Sequence, residues 1–149
     1  MLEMLITISL MGIACVTLLV GLRSTIMASA IDRDHAVAFS WLQSASDEIY
    51  RDVRVPCTSG RPLALSTYDA AAKRAPKPPL WAGTDASIRV TNVEYLGRVN
   101  PDADFDWDAS FCFEGAEYAT SPLYTQRITI QTTGPGGQIV RTLQMVKSK

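Results

Sequence analysis

An α+β fold is predicted, with one long N-terminal helix laid on an antiparallel sheet of about four strands. Three observations predict it. No proline occurs before Pro56, and the apolar residues in that stretch fall at helical spacing. The second half of the chain breaks into short runs of alternating apolar and polar residues. Between the last two runs lies Gly134-Pro135-Gly136-Gly137, a turn signal that predicts a hairpin.

The first element opens with MLITISLMGIACVTLLVGL, the 19 residues from Met4 to Leu22, which carry no charge. A membrane-spanning helix needs about 20 such residues. Thr7, Ser9 and Thr17 do not weaken that reading, because a hydroxyl can bond back to its own helix. A cleavable signal peptide is the rival reading, and Ala28-Ser29-Ala30 resembles a cleavage site. Such peptides have a basic start and an apolar core of about 7–15 residues. Here the charge before the run is the acidic Glu3, and the run is longer.

Residues 24–53 contain neither proline nor glycine. Met27, Ile31, Ala38, Leu42, Ala45, Ile49 and Val53 recur at spacings of 3, 4 or 7, which is one helical stripe. Asp32, Arg33, Gln43, Asp47, Arg51 and Asp52 occupy the other side. The apolar run is therefore expected to continue into an amphipathic helix ending at Pro56, a rod of roughly 75–80 Å at about 1.5 Å per residue. The predicted organisation is a spanning helix over 1–22, an amphipathic helix over 23–55, and a loop and sheet domain over 56–149. Prolines and glycines make 58–84 a long loop, with room for a short helix around 67–73. Strands are predicted over 87–96, 103–113, 124–133 and 138–146. In the first of these the alternation is irregular at Val93 and Tyr95. In the second, Ala103, Phe105, Trp107, Ala109, Phe111 and Phe113 share one face.

The 149 residues allow one domain plus an anchor, and the net charge is −1. A duplex nucleic acid partner needs a basic surface, which this composition does not offer. Glu3 is the only charged side chain before Arg23.

The opening, Met1-Leu2-Glu3-Met4-Leu5-Ile6 through Gly12-Ile13, resembles the start of mature type IV pilins and type II secretion pseudopilins. In that family a short basic leader ending in glycine is removed, the new terminus is methylated, and a glutamate precedes an apolar helix with a glycine near its middle. Glu3 matches the glutamate and Gly12 the glycine at the family's separation. The sequence opens two residues after the family's cleavage point, and Val20 and Gly21 stand where many major pilins have a kinking proline, which leans toward a minor subunit. The stretch from Gln126 to Lys147 also resembles pilin-like proteins of actinobacteria. The resemblance implies a structural, non-enzymatic subunit of a pilus or secretion filament. Its partners would be other subunits, the prepilin peptidase and an assembly platform. It implies an assembly role for Glu3, paired with the N-terminal amine of a neighbour, and for Gly12. It also implies a single-pass membrane protein with an extracytoplasmic C-terminal domain, reaching the cell surface after assembly. Arg23 and Arg33 on the C-terminal side argue for the reverse orientation, but a basic leader would outweigh them. A tethered extracellular binding module that never polymerises is the alternative; Glu3 and Gly12 argue against it.

Other constellations are weaker. Asp102, Asp104, Asp106 and Asp108 form D-x-D-x-D-x-D, an oxygen-rich spacing that suits calcium. Trp107 stands where a calcium loop needs glycine and Phe113 where it needs a bidentate acid, so a strand with acids on its wet face is the simpler reading. His35 is the sole histidine and has no nucleophile elbow to serve, so it reads as a surface residue. Lys73, Arg74 and Lys77 are a small basic cluster without interleaved aromatics, which reads as a solvated loop. No cofactor is expected beyond that calcium candidate.

Cys15 lies in the apolar run, while Cys57 and Cys112 lie downstream. Two cysteines in an exported domain suggest one disulfide, although two free buried thiols fit the sequence equally. We expect Cys57 and Cys112 to be bridged and the bridge to contribute on the order of 4 kcal/mol. Thiol labelling and mass measurement of the exported protein check this, and two free thiols downstream of the anchor would refute it.

Overall fold

The computed structural model describes residues 2–55, 60–97, 104, 106–108 and 125–148. Cys57 and Cys112 lie outside these residues, as do Asp102, Phe105 and most of the predicted second strand. The chain forms two compact units, Met1–Ala36 and Val37–Lys149.

Helix α1 runs Leu2–Arg51 and α2 runs Arg61–Ala72. The strands are β1 (Ser87–Gly97), β2 (Asp106–Asp108), β3 (Gln126–Thr133) and β4 (Val140–Lys147). They form one antiparallel sheet in the order β2-β1-β3-β4. The expected α+β class, a long N-terminal helix on a four-stranded antiparallel sheet, is observed.

In the second unit α1 buries Ala38, Trp41, Leu42, Ala45 and Ile49, which sit one above another at helical spacing. Beneath them lie Ile88, Val90, Val93 and Tyr95 of β1 and Ile128 and Ile130 of β3. Trp41 meets Trp81 edge to face, with centroids 6.0 Å apart, and donates from Nε1 to the carbonyl of Ala75 at 3.5 Å. Val53, expected to end the stripe, is exposed because α1 has already stopped.

Three sequence expectations change here. The segment expected to be mostly loop contains a full 12-residue helix, α2. Pro62, read as loop punctuation, sits in the first turn of α2, where a missing N–H costs no helical bond. Second, Val93 and Tyr95 face the core despite their shifted spacing. The β1–β3 register slips between Val90 and Asn92, so one extra residue restores the inward phase. The N–H of Val90 donates to Asp69 Oδ1 at 3.0 Å, and Arg61 donates to Asn92 Oδ1 at 2.6 Å, so α2 is tied to both sides of the bulge. Third, α1 ends at Arg51, ahead of Pro56. The β3–β4 turn forms as predicted, with Gly136 and Gly137 at positive φ, a conformation that favours glycine.

What ends α1 is a side chain from the last strand. Lys147 is 4% exposed. Its Nζ donates to the carbonyls of Ile49 at 2.6 Å, Asp52 at 2.6 Å and Tyr50 at 3.4 Å, and lies 5.6 Å from the centre of the Tyr68 ring. These carbonyls belong to a helix C-terminus, where backbone acceptors lack intrahelical partners and the dipole favours a cation. Burial lowers the Lys147 pKa; Asp52 opposes that shift and Arg54 adds to it. Next along the chain, the Val55 N–H donates to Tyr68 Oη at 3.0 Å, and the Val55 carbonyl accepts from Gln126 Nε2 at 2.8 Å. Tyr68 Oη donates to Gln126 Oε1 at 2.5 Å, which closes the loop of bonds. Asp52 pairs with Arg74 at 2.8 Å, and Arg74 also faces Glu48 at 3.8 Å.

Two outcomes follow from this cluster. Lys147→Met fills similar volume but leaves the carbonyls of Ile49 and Asp52 without their donor, and it is expected to cost about 2–4 kcal/mol in denaturant unfolding. An unchanged midpoint would show that water replaces the ammonium. The Asp52 carboxyl is held below its ordinary value of 3.8, first by the hydrogen bond from Arg74. Its contribution to stability is present above that ordinary value and is lost as pH falls through the lowered one. The melting temperature is therefore expected to fall less steeply below about pH 4 in Asp52→Asn than in the unsubstituted protein. Parallel acid limbs for the two proteins would contradict this.

Candidate assembly site

Within the first unit α1 is apolar around its whole circumference. Met4, Ile8, Leu10, Met11, Leu18, Leu19 and Val20 are all exposed, and residues 6–33 contain no buried position. A helix apolar on every side needs an apolar surrounding. Among the described residues, one helix, at the N-terminus, is long and apolar enough to span a membrane.

Its polar groups are compatible with that surrounding. Thr7 Oγ1 donates to the carbonyl of Glu3 at 2.8 Å and Thr17 Oγ1 to that of Ala14 at 2.9 Å. Ser24 and Thr25 both donate to the carbonyl of Gly21, at 2.9 and 3.0 Å. Each of these hydroxyls is satisfied by its own helix and needs no water.

Glu3 lies in the first turn of α1, where the exposed N–H groups favour a carboxylate. It is exposed and has no ion pair among the described residues. At Gly12 a Cβ would meet nothing within 4 Å, so nothing within this chain requires glycine there. Gly12 is open to close approach from outside, and Gly21 is equally open. The exposed Cys15 lies in the same stretch.

The other sequence candidates separate. Asp104 is exposed, as are Asp106 and Asp108 of β2, and Asp106 Oδ1 accepts the N–H of Trp107 at 2.7 Å. Among the described residues no three histidine, cysteine or acidic side chains gather closely enough to hold a metal. Trp107 is half-buried, with the guanidinium of Arg127 5.0 Å from its ring centre. Arg127 is anchored in turn by Glu94 at 2.6 Å, the main cause of its raised pKa. His35 is half-buried on α1. The basic cluster is occupied internally: Lys73 pairs with Asp69 at 2.5 Å, Arg74 with Asp52, and Lys77 donates to the carbonyl of Thr84 at 2.7 Å.

Residues that position the folded unit were missed in the sequence: Trp81, Tyr68, Gln126 and Lys147. Gln126 and Lys147 fall on the inward phase of their strands, but polar side chains there read as strand ends. No protein-family model matches this chain, and no curated protein or solved structure matches it either.

Proposed function

We propose that the chain is a structural subunit of a type IV pilus or type II secretion-like filament, of minor pilin or pseudopilin kind, assembled through the N-terminal half of α1. The observation that carries this reading is the uncovered apolar helix with one acid at its start. Residues 6–33 are exposed throughout, while burial against the folded unit begins at Ala38. Such a surface needs lipid when the subunit is stored and other apolar helices when it is not. Gly12 and Gly21 are positions where a neighbouring backbone can come close. Glu3 resists any wholly apolar cover, because an acid driven into that setting without a partner costs several kcal/mol. A neighbour that offers it a positive group gains specificity at that level. The partners are other subunits, with a prepilin peptidase and an assembly platform upstream of polymerisation.

The test is the ratio of filament-associated to membrane-associated protein. Glu3→Ala is expected to insert and fold, because the buried core lies beyond Val37, yet to lower that ratio about tenfold or more. Glu3→Gln keeps a hydrogen bond without charge and should fall between the two. Equal ratios in all three proteins would sink the assembly role and favour a tethered module that does not polymerise.

A further inference from the structure

Before Asp32, α1 carries two lone charged side chains of opposite sign. Glu3 is the only charged side chain before Arg23, and Arg23 is the only one between Glu3 and Asp32. Both are exposed, and neither has an ion pair among the described residues. Arg33 differs, since Asp32 and Asp34 flank it.

In a bilayer the two charges are harmless. Twenty residues at about 1.5 Å each separate them by roughly 30 Å, the thickness of the hydrocarbon core, so each reaches a polar boundary. Once neighbouring helices replace lipid, that escape is lost, and each charge needs a counterion within the bundle. Copies inserted the same way in one membrane lie parallel, so Glu3 cannot meet its own equivalent's base by antiparallel pairing. A parallel shift of roughly 30 Å brings Glu3 of one copy level with Arg23 of the next.

The azimuth supports the same arrangement. Twenty residues at about 100° each make about 2000°, which leaves about 200° after whole turns, so the two charges lie on nearly opposite sides of the helix. Each copy then offers an acid to one neighbour and a base to another. That contact is head to tail and does not close, which is the geometry that grows a filament. Charges on the same side would have favoured one shared neighbour.

We propose that Glu3 of one copy pairs with Arg23 of a neighbouring parallel copy shifted by about 20 residues, and that this pair sets the axial register of the assembled helices. The inference rests on the filament reading and names the partner of Glu3 within it. The full chain, expressed in cells that assemble it, tests both. Glu3→Lys and Arg23→Glu are each expected to lower the filament-to-membrane ratio about tenfold, and the double exchange should recover it to within about threefold. Glu3→Lys combined with Arg33→Glu should not recover. In a Cys15→Ser background, Glu3→Cys with Arg23→Cys should give an oxidised ladder of dimers and higher multimers in the filament fraction. If the unsubstituted protein assembles but the double exchange stays low and no ladder forms, the pairing is wrong while the filament reading stands; a neighbour's N-terminal amine is then the partner. If the unsubstituted protein gives no filament fraction, both fall.

Discussion

The ammonium of Lys147 on the last carbonyls of α1 is the interaction on which the folded unit depends. A helix must end with acceptors that its own backbone cannot satisfy. When that end is buried, the acceptors need a donor from elsewhere, and an unmatched carbonyl costs about 1–3 kcal/mol. Here the donor arrives at the far end of the sequence, on the final residue of β4. Lys147 therefore fixes where α1 stops, and it fixes the level at which β4 lies against it. The Tyr68–Val55–Gln126 ring continues the same logic for one more peptide unit, satisfying both the N–H and the carbonyl of Val55 with side chains from α2 and β3. One small polar knot thus joins α1, α2, β3 and β4.

The apolar contacts are arranged around that knot. The Trp41–Trp81 pair closes the other end of the buried stripe, carried there by a proline-rich segment with little regular structure of its own. The β1 bulge lets a strand of shifted phase still present Val93 and Tyr95 to the core, and Asp69 takes up the bulge's N–H. Lys73 and Arg74, just beyond α2, are engaged by the local acids Asp69 and Asp52. Among the described residues, the longest uncovered apolar stretch is the N-terminal half of α1, and that contrast supports reading it as the part that meets other molecules.

Much of this was legible beforehand because it depends on periodicity. The long N-terminal helix, its apolar run of membrane-spanning length, the hairpin at Gly134–Gly137 and the antiparallel sheet all follow from spacing and turn chemistry that act over a few residues. Helix α2 was less legible because Pro62 signals a break in most contexts and a first turn in a few. Of the site, Glu3 and Gly12 stood out as the one acid and a mid-helix glycine in an apolar run.

The sequence by itself determined the α+β class, the membrane-length apolar helix and the isolation of Glu3 and Arg23 within it. These are one-dimensional properties, set by composition and by periods of 3.6 and 2. Only the tertiary structure decided that α1 ends at Arg51, that its burial begins at Ala38, and that Lys147, Gln126 and Tyr68 belong together. The reason is physical. The helical stripe carries no sign of where its cover begins, and a buried polar side chain is recognised by its partners, which here lie as far as 98 residues away.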